Sequence, residues 1–368
     1  MLTIIEYHGS GAARASGPHH YPPATDPSDQ QSTVKRKTTI VNRVGIIVNP
    51  MSGRDVRRLA ARAGTSTHEQ KRNQITRIVL GAFNCGAEEV FMVREPYRIT
   101  SGAIEHLAMT SSIRLLDIGL THSSADTVQS TALMREHGCT VLVALGGDGT
   151  NRDVARSWPE APIIPISTGT NNVFPVMVEA SAAGAAAGLV ASGRIPLSDV
   201  ARQCKLVAVS MAGSATDVAL VDAALLVDDF IGSLLPFDTD RIRRLVLARS
   251  EPTATGTSAI GGYLLPAGSG DDFGVQVSCG SGRNLKLSVP ISVGLYETVS
   301  IDSYQKLPLG RETVWEGPGI IALDGDREIE LRHGQQATLT VERKGPWVID
   351  VNQALQLAAA RGVFLSVD

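Results

Sequence analysis

The 368-residue chain reads as a three-layer α/β region on a parallel sheet, followed by a mostly-β region. Two patterns predict this. In the first half, short β-branched runs alternate with segments of helical spacing, the signature of parallel βαβ units. From about Arg194, β-branched runs dominate, several alternating apolar with polar residues between Gly, Pro or Asp turns, as antiparallel strands do. An apolar fraction of 43% is enough to fill two cores. The formal net charge of −3 gives no basic footprint for nucleic acid or a membrane surface. The four cysteines, Cys85, Cys139, Cys204 and Cys279, are scattered without a CxxC pair, which argues for buried thiols in a reducing cytosol. No apolar run reaches membrane-spanning length, and the N-terminus lacks the layout of a secretory signal, so a cytoplasmic protein is expected.

Residues 1–42 lack periodicity and read as a disordered extension, in which His19 and His20 have no fixed geometry for a metal. Val44–Val48 is the first buried strand, ending at Asn49-Pro50-Met51-Ser52-Gly53. A helix is expected over Arg54–Ala63, with Arg54, Arg57 and Arg58 in its first turns opposing the helix dipole. Either a bound anion resolves that conflict or the arginines are solvated and paired with neighbours such as Asp55. Gly64–Asn73 is polar and reads as an exposed loop. Then come a helix near Gln74–Asn84, strand Glu89–Val93, helix Thr100–Met109, strand Ile113–Leu116 and a helix near Ser124–Glu136.

Thr140–Leu145 is a strand buried on both faces that stops at Gly146-Gly147-Asp148-Gly149-Thr150, with a helix expected from near Asn151. The glycines let a ligand approach the backbone, and the helix start offers unpaired amides to phosphate. Asp148 fits phosphoryl transfer, where a carboxylate holds a cation or takes a proton. The competing reading is a tight turn, with Thr150 a plain N-cap and Asp153 in a capping-box-like position. Strand Ala161–Ile166 then opens into Ser167-Thr168-Gly169-Thr170-Asn171-Asn172, followed by an Ala-rich helix to about Ser192. Asn172 considered alone also suits a helix cap. In parallel sheets ligands sit beyond the carboxyl ends of the strands, where all three loops lie.

The β-rich runs are Lys205–Met211, Val218–Val227, Ser258–Leu265, Gly274–Ser278, Leu285–Leu295, Gly319–Leu323 and Ala337–Arg343. One helix, about Thr239–Arg249, is expected among them, and Val351–Arg361 regains helical spacing and returns to the first region. The expected divisions are 43–193 for the α/β domain, 194–350 for the β domain and 351–368 for the returning segment.

The Walker A pattern and a GxGxxG after the first strand are both absent. Together the three loops resemble those of the superfamily of NAD kinases, diacylglycerol kinases and sphingosine kinases. Asn49–Gly53 resembles its NPxSG loop, Gly146–Thr150 matches GGDGT in full, and Gly169–Asn172 resembles the lipid-kinase GTxN(D/N) loop. Thr216-Asp217 is similar to the first crossing strand with its acidic residue, and Leu323-Asp324-Gly325-Asp326 to the late DGE turn. The texture of VNPMSGRDVRRLAARA and SAIGGYLLPAG resembles the acetoin-catabolism protein X type within that superfamily.

The resemblance implies a β-sandwich as the second domain and an active site in the cleft. It implies ATP or polyphosphate as donor, Mg²⁺, and NAD as acceptor. Asp148 and Asp326 would be catalytic. Asn49, Ser52, Gly53, Gly146, Gly147, Gly149, Thr150, Thr168, Gly169, Thr170, Asn171, Asn172 and Asp217 would contact the nucleotide, and no residue is assigned as a metal ligand. A homo-oligomer is also implied. Two departures stand out. Thr216-Asp217 replaces the Asn-acid pair of ordinary NAD kinases, and Asp326 is one methylene shorter than the lipid-kinase glutamate. For Asp326 a hairpin turn is an equal reading. A lipid kinase and a non-catalytic nucleotide-binding regulator are the rival functions.

Overall fold

A computed structural model describes residues 41–53, 66–169, 172–213, 216–233, 237–280 and 285–365. The expected tail, helix Arg54–Ala63 with its arginines, and the loop residues Thr170 and Asn171 lie outside the described residues.

The chain begins with β1 (Arg43–Val48), α1 (His68–Asn84), β2 (Glu89–Val93), α2 (Ile99–Ile104), β3 (Ile113–Leu116), α3 (Ser124–Glu136), β4 (Val141–Gly146), α4 (Asp148–Ser157) and β5 (Pro162–Ser167). It continues through α5 (Ala180–Ala191), α6 (Leu197–Val200) and β6 (Ala201–Gln203). Then follow β7 (Leu206–Met211), β8 (Asp217–Ala219), β9 (Asp222–Leu226), β10 (Ile242–Leu247), α7 (Thr257–Leu264), β11 (Phe273–Cys279), β12 (Leu285–Ser292) and β13 (Leu295–Pro308). The last elements are β14 (Glu312–Glu316), β15 (Gly319–Leu323), β16 (Asp326–Leu331), β17 (Gln336–Glu342), β18 (Trp347–Ile349) and α8 (Val351–Ala360).

Among the described residues the first sheet has the order β3-β2-β1-β4-β5-β18-β6. All its pairings are parallel except that of β18 with the edge strand β6. Both faces are covered, as continuous apolar strands require. Val44, Ile46, Val141, Val143 and Leu145 face α1, α5 and α8, whereas Ile47, Leu142 and Ala144 face α3 and α4 through Met134 and Val154. The sheet therefore takes in residues 201–203 and 347–349, which the sequence reading gave to the β-rich part. Pairing between strands so far apart in sequence leaves no local signal.

Two further sheets, β12-β13-β11-β10-β9-β15-β16 and β14-β17-β7-β8, form the sandwich. They share a core containing Val207, Val209, Leu225, Val246, Trp315, Ile321 and Leu339. On the other face of the larger sheet, α7 contributes Ala259 and Ile260 to a separate core.

Three local expectations are corrected. Thr239–Arg249 is a single 3-10 turn, Thr239–Arg241, followed by β10, because its apolar residues pair with β9 and β11. Ser258–Leu265 is the helix α7, whose glycines Gly261 and Gly262 lie against Leu247, Ser250 and Glu251, where side chains would not fit. The loop expected over Gly64–Asn73 instead starts α1 at His68, behind a capping box between Thr67 and Gln70.

Candidate active site

The carboxyl ends of β1, β4 and β5 bring the three glycine-containing loops together. Asn49 organises the first: its Oδ1 accepts the Met51 and Ser52 amides, and its Nδ2 donates to Thr150 Oγ1 at 3.0 Å. Thr168 Oγ1 donates to Ser52 Oγ at 2.8 Å, joining the first loop to the third. Gly53 has φ +75°, and a Cβ there would lie 2.6 Å from the Thr168 carbonyl, so only glycine fits. Asn172 donates to Ser167 Oγ, while its Oδ1 fills the space a Gly147 side chain would need. It caps no helix, since α5 starts at Ala180 behind Glu179.

Lys71 holds this assembly from behind. Fully buried on α1, its Nζ donates to the carbonyls of Asn49, Pro50 and Ser52 at 2.8, 2.9 and 2.6 Å. The sequence reading passed over it inside a polar stretch; the Thr67–Gln70 capping box just before it was the available signal.

α4 begins at Asp148, three residues earlier than expected, with Gly147 as an N-cap that has no side-chain hydrogen bond. Thr150 is thus inside the helix rather than at its cap. No described side chain caps the amides of the first turn of α4. Gly147 and Gly149 are bare where a Cβ would meet Asn172 Oδ1 at 2.9 Å and Asp326 Oδ2 at 3.0 Å, so neither position leaves easy room for a side chain.

The Asp148 carboxylate is anchored by the amides of Val173 and Phe174, the latter at 2.7 Å. Arg249 braces that segment from the sandwich, donating to the Val173 carbonyl and stacking over the Phe174 ring at 4.7 Å. Burial, and then the neighbouring Asp324 charge, raise the Asp148 pKa to about 7 despite the two amides. Asp324 and Gly325 both have positive φ and form the two-residue turn between β15 and β16, so the hairpin reading of this stretch holds. The turn nevertheless reaches the site. The Asp324 carboxylate accepts the amides of Leu220, Val221 and Asp222, and burial pushes its pKa upward. Asp326 lies 3.9 Å from Arg152 Nη1.

One cavity of about 580 Å³ is lined by Asn49, Ser52, Gly53, Gly147, Asp148, Gly149, Thr150, Asn172, Asp324 and Asp326. It extends between α3 and α4 to Thr127, Ser130, Met134 and Asp153. Gly146, Thr168, Gly169 and Asp217 are outside its lining. Gly146 lies beneath Thr150, where any side chain would collide with it. Asp217 faces α4 instead, as a partner of Arg152 and Arg156 together with Glu328. The Asp217 carboxyl is held below its usual range by Arg156 and Arg152, against the upward pull of burial. Arg152, 1% exposed, also donates to the Val218 and Leu323 carbonyls, locking β8 and the Asp324 hairpin onto α4. No lysine or arginine is among the described residues lining the cavity, and no three described His, Cys, Asp or Glu form a metal cage.

An α/β domain on a parallel sheet, joined to an antiparallel β-rich domain across these loops, is the fold of NAD kinases and diacylglycerol kinases. The crystal structure of yeast NADH kinase complexed with NADH superposes with a TM-score of 0.50 at 12% identity, over 90% of each chain. A diacylglycerol kinase from Bacillus anthracis str. Sterne matches more loosely, with a TM-score of 0.39 at 13% identity, over 84% of this chain and 97% of its own. Residues 44–195 match the ATP-NAD kinase N-terminal domain, and residues 205–344 match the acetoin catabolism protein X C-terminal domain. The chain belongs to the acetoin catabolism protein X family. It is 33% identical over 339 residues to acetoin catabolism protein X of Cupriavidus necator, covering 88% of this chain and 94% of that protein. No described helix is long and apolar enough to cross a membrane.

Proposed function

We propose that this protein is a kinase that transfers the terminal phosphoryl group of ATP to a hydroxyl of a nucleotide, with NAD as the first acceptor to test. The observation that carries the reading is Asp148. It stands in the cavity wall at the uncapped start of α4, with its pKa raised to about 7. A group that titrates near neutrality is suited to accept the proton of an attacking hydroxyl. The amides of Val173 and Phe174 fix its orientation, and the open amides of the first turn of α4 suit phosphate oxygens.

Mg²⁺ would neutralise the phosphate charge, held mainly by phosphate oxygens with Asp326 as the protein's contribution. Nucleotide binding should depend on this cation, because it offsets the charge of the phosphates. The resemblance noted from the sequence adds polyphosphate as a second donor to test, and a cytoplasmic homo-oligomer as the expected form.

The experiment is turnover of ATP with a panel of acceptors, NAD among them, for the wild type and Asp148→Asn. Asn keeps the shape and turn chemistry but cannot take a proton. A loss of about a hundred- to ten-thousand-fold in kcat with nucleotide affinity retained is expected. Wild-type kcat should rise with pH through about 7, as Asp148 loses its proton. Asp148→Asn turnover within a few-fold of wild type refutes the assignment. ATP bound without transfer to any acceptor leaves a nucleotide-binding regulator in its place.

A further inference from the structure

Ser292 ends β12 and lines the cavity from the sandwich side, yet it has no part in the scheme above. It is 4% exposed. Its Oγ makes no hydrogen bond to any described residue, and it is not sealed away from the cavity. The other buried hydroxyls of the lining are engaged. Thr100 donates to the Val93 carbonyl, Ser130 donates to the Asp126 carbonyl, and Thr150 accepts from Asn49. A buried hydroxyl without a partner is costly, so a position that served packing alone would be apolar or supplied with an acceptor. Ser292 is neither.

The local backbone is shaped around it. Pro290 pairs with Tyr296 but Ser292 with Leu295, so β12 carries one extra residue just before the Val293-Gly294 turn. A bulge of this kind re-aims the side chains beside it. The Pro290 carbonyl accepts from the Gly256 amide at 2.8 Å, and Thr257 Oγ1 donates to Asp222 Oδ2 at 2.7 Å. The Asp324 amide in turn donates to the Asp222 carbonyl at 3.0 Å. These contacts tie the end of β12 to the Asp324 hairpin. Ser292, Asp324 and Asp326 are the described cavity residues that the sandwich supplies.

In phosphoryl transfer the attacking and leaving oxygens lie in line, so the acceptor approaches from the side away from the rest of the donor. With the donor's phosphates on the first turn of α4, the acceptor's share of the cavity is the part walled by the sandwich. An anionic group is disfavoured beside the Asp324 and Asp326 carboxyls. A serine hydroxyl, which both donates and accepts, suits an uncharged polar group.

We propose that Ser292 is a specificity-determining residue that hydrogen-bonds an uncharged polar group of the phosphoryl acceptor, a hydroxyl or an amide. This rests on the kinase reading above and deepens it, since it gives the sandwich wall to the acceptor and not to the donor.

The test uses the full chain, with NAD or whichever acceptor of the panel turns over as the probe. Removing Oγ strands no described group, so Ser292→Ala should melt with the wild type. Its KM for the acceptor should rise about two- to tenfold. Ser292→Val fills the space and leaves the acceptor's polar group unpaired, which should raise KM roughly ten- to a hundredfold. The KM for ATP and kcat should stay as they are. An unchanged acceptor KM in both variants overturns the proposal. A rise shared by ATP, or a lower melting temperature for Ser292→Ala, marks a structural role and overturns it too.

A second readout needs no turnover. The four cysteines are buried, and burial pushes the thiols of Cys139, Cys204 and Cys279 up to about 12. The wild type should therefore scarcely react with methyl methanethiosulfonate. Ser292→Cys should react, and the acceptor should slow the reaction where Mg²⁺-ATP alone does not. A thiol that does not react, or that neither NAD nor any acceptor of the panel protects, overturns the proposal. Protection by NAD without transfer to any acceptor keeps the Ser292 assignment and refutes the kinase reading alone.

Discussion

Replacing Lys71 by Met removes the ammonium and keeps an apolar stem of similar length. Three carbonyls lose a donor, but not equally. The Asn49 carbonyl still accepts from the Ser52 amide and hydroxyl. The carbonyls of Pro50 and Ser52 accept from no other described residue. Two carbonyls stranded at about 1–3 kcal/mol each give a loss of about 2–6 kcal/mol. For a chain of this size about 2 °C accompanies each kcal/mol, so the melting temperature should fall by about 4–12 °C. The loop should also loosen, because Lys71 is its link to α1. Amide exchange over Asn49–Gly53 should accelerate while the strands of the first sheet stay protected. Circular dichroism melts and hydrogen exchange read the two effects. A melting shift under about a degree with unchanged exchange would refute the claim that Lys71 holds the loop.

Two further outcomes are expected. Asp222 is 5% exposed, has one carboxylate oxygen without a hydrogen-bond partner among the described residues, and burial and Asp324 raise its pKa to about 8. The folded state thus holds this proton more tightly than the unfolded chain. The associated stability is fully present below about pH 4 and is lost as pH rises through about 8. Asp222→Asn should remove that slope, at most about 1.4 kcal/mol per pH unit, and urea unfolding of variant and wild type between pH 5 and 9 checks it; parallel curves would refute it. Gly184 on α5 packs so closely on α1 that a Cβ would run into the Ile78 carbonyl. Gly184→Ala should therefore destabilise by about 1–3 kcal/mol from overpacking, although Ala favours a helix by about 1 kcal/mol. An unchanged or raised melting temperature would show that the two helices can separate at no cost.

The strands of the first sheet were legible because they are apolar on both faces and bounded by turn residues, and β2, β3 and α3 stand at the positions read from the sequence. The loops were legible because small, polar residues with glycine follow directly on three apolar strand runs. What failed to show was whatever depends on residues distant in sequence. β6 and β18 join the first sheet through pairings between residues 201–203 and 347–349. The run after Thr239 carries an ambiguous period, and its neighbours β9 and β11 decide for a strand. Lys71, Arg152 and Asp153 look like ordinary surface charges in sequence, and only their burial separates them from the rest. Asp217 was read as facing the ligand because an acid on a crossing strand has no visible partner until Arg152 and Arg156 are placed beside it.

The chain leaves the first sheet at Gln203 and comes back to it at Trp347, and the two passages touch. The Cys204 amide donates to the Pro346 carbonyl at 2.9 Å and the Gly345 amide to the Cys204 carbonyl at 3.1 Å. Everything between them, the sandwich with the Asp324 hairpin and Arg249, is spliced in at one point like a cassette. Exchange between relatives needs only two neighbouring junctions, at which the seven-stranded platform and its glycine-containing loops are carried over intact. The sandwich brings Asp324, Asp326 and Arg249 with it, so a swapped cassette would retune the acids facing Asp148 while leaving the glycine loops as they are.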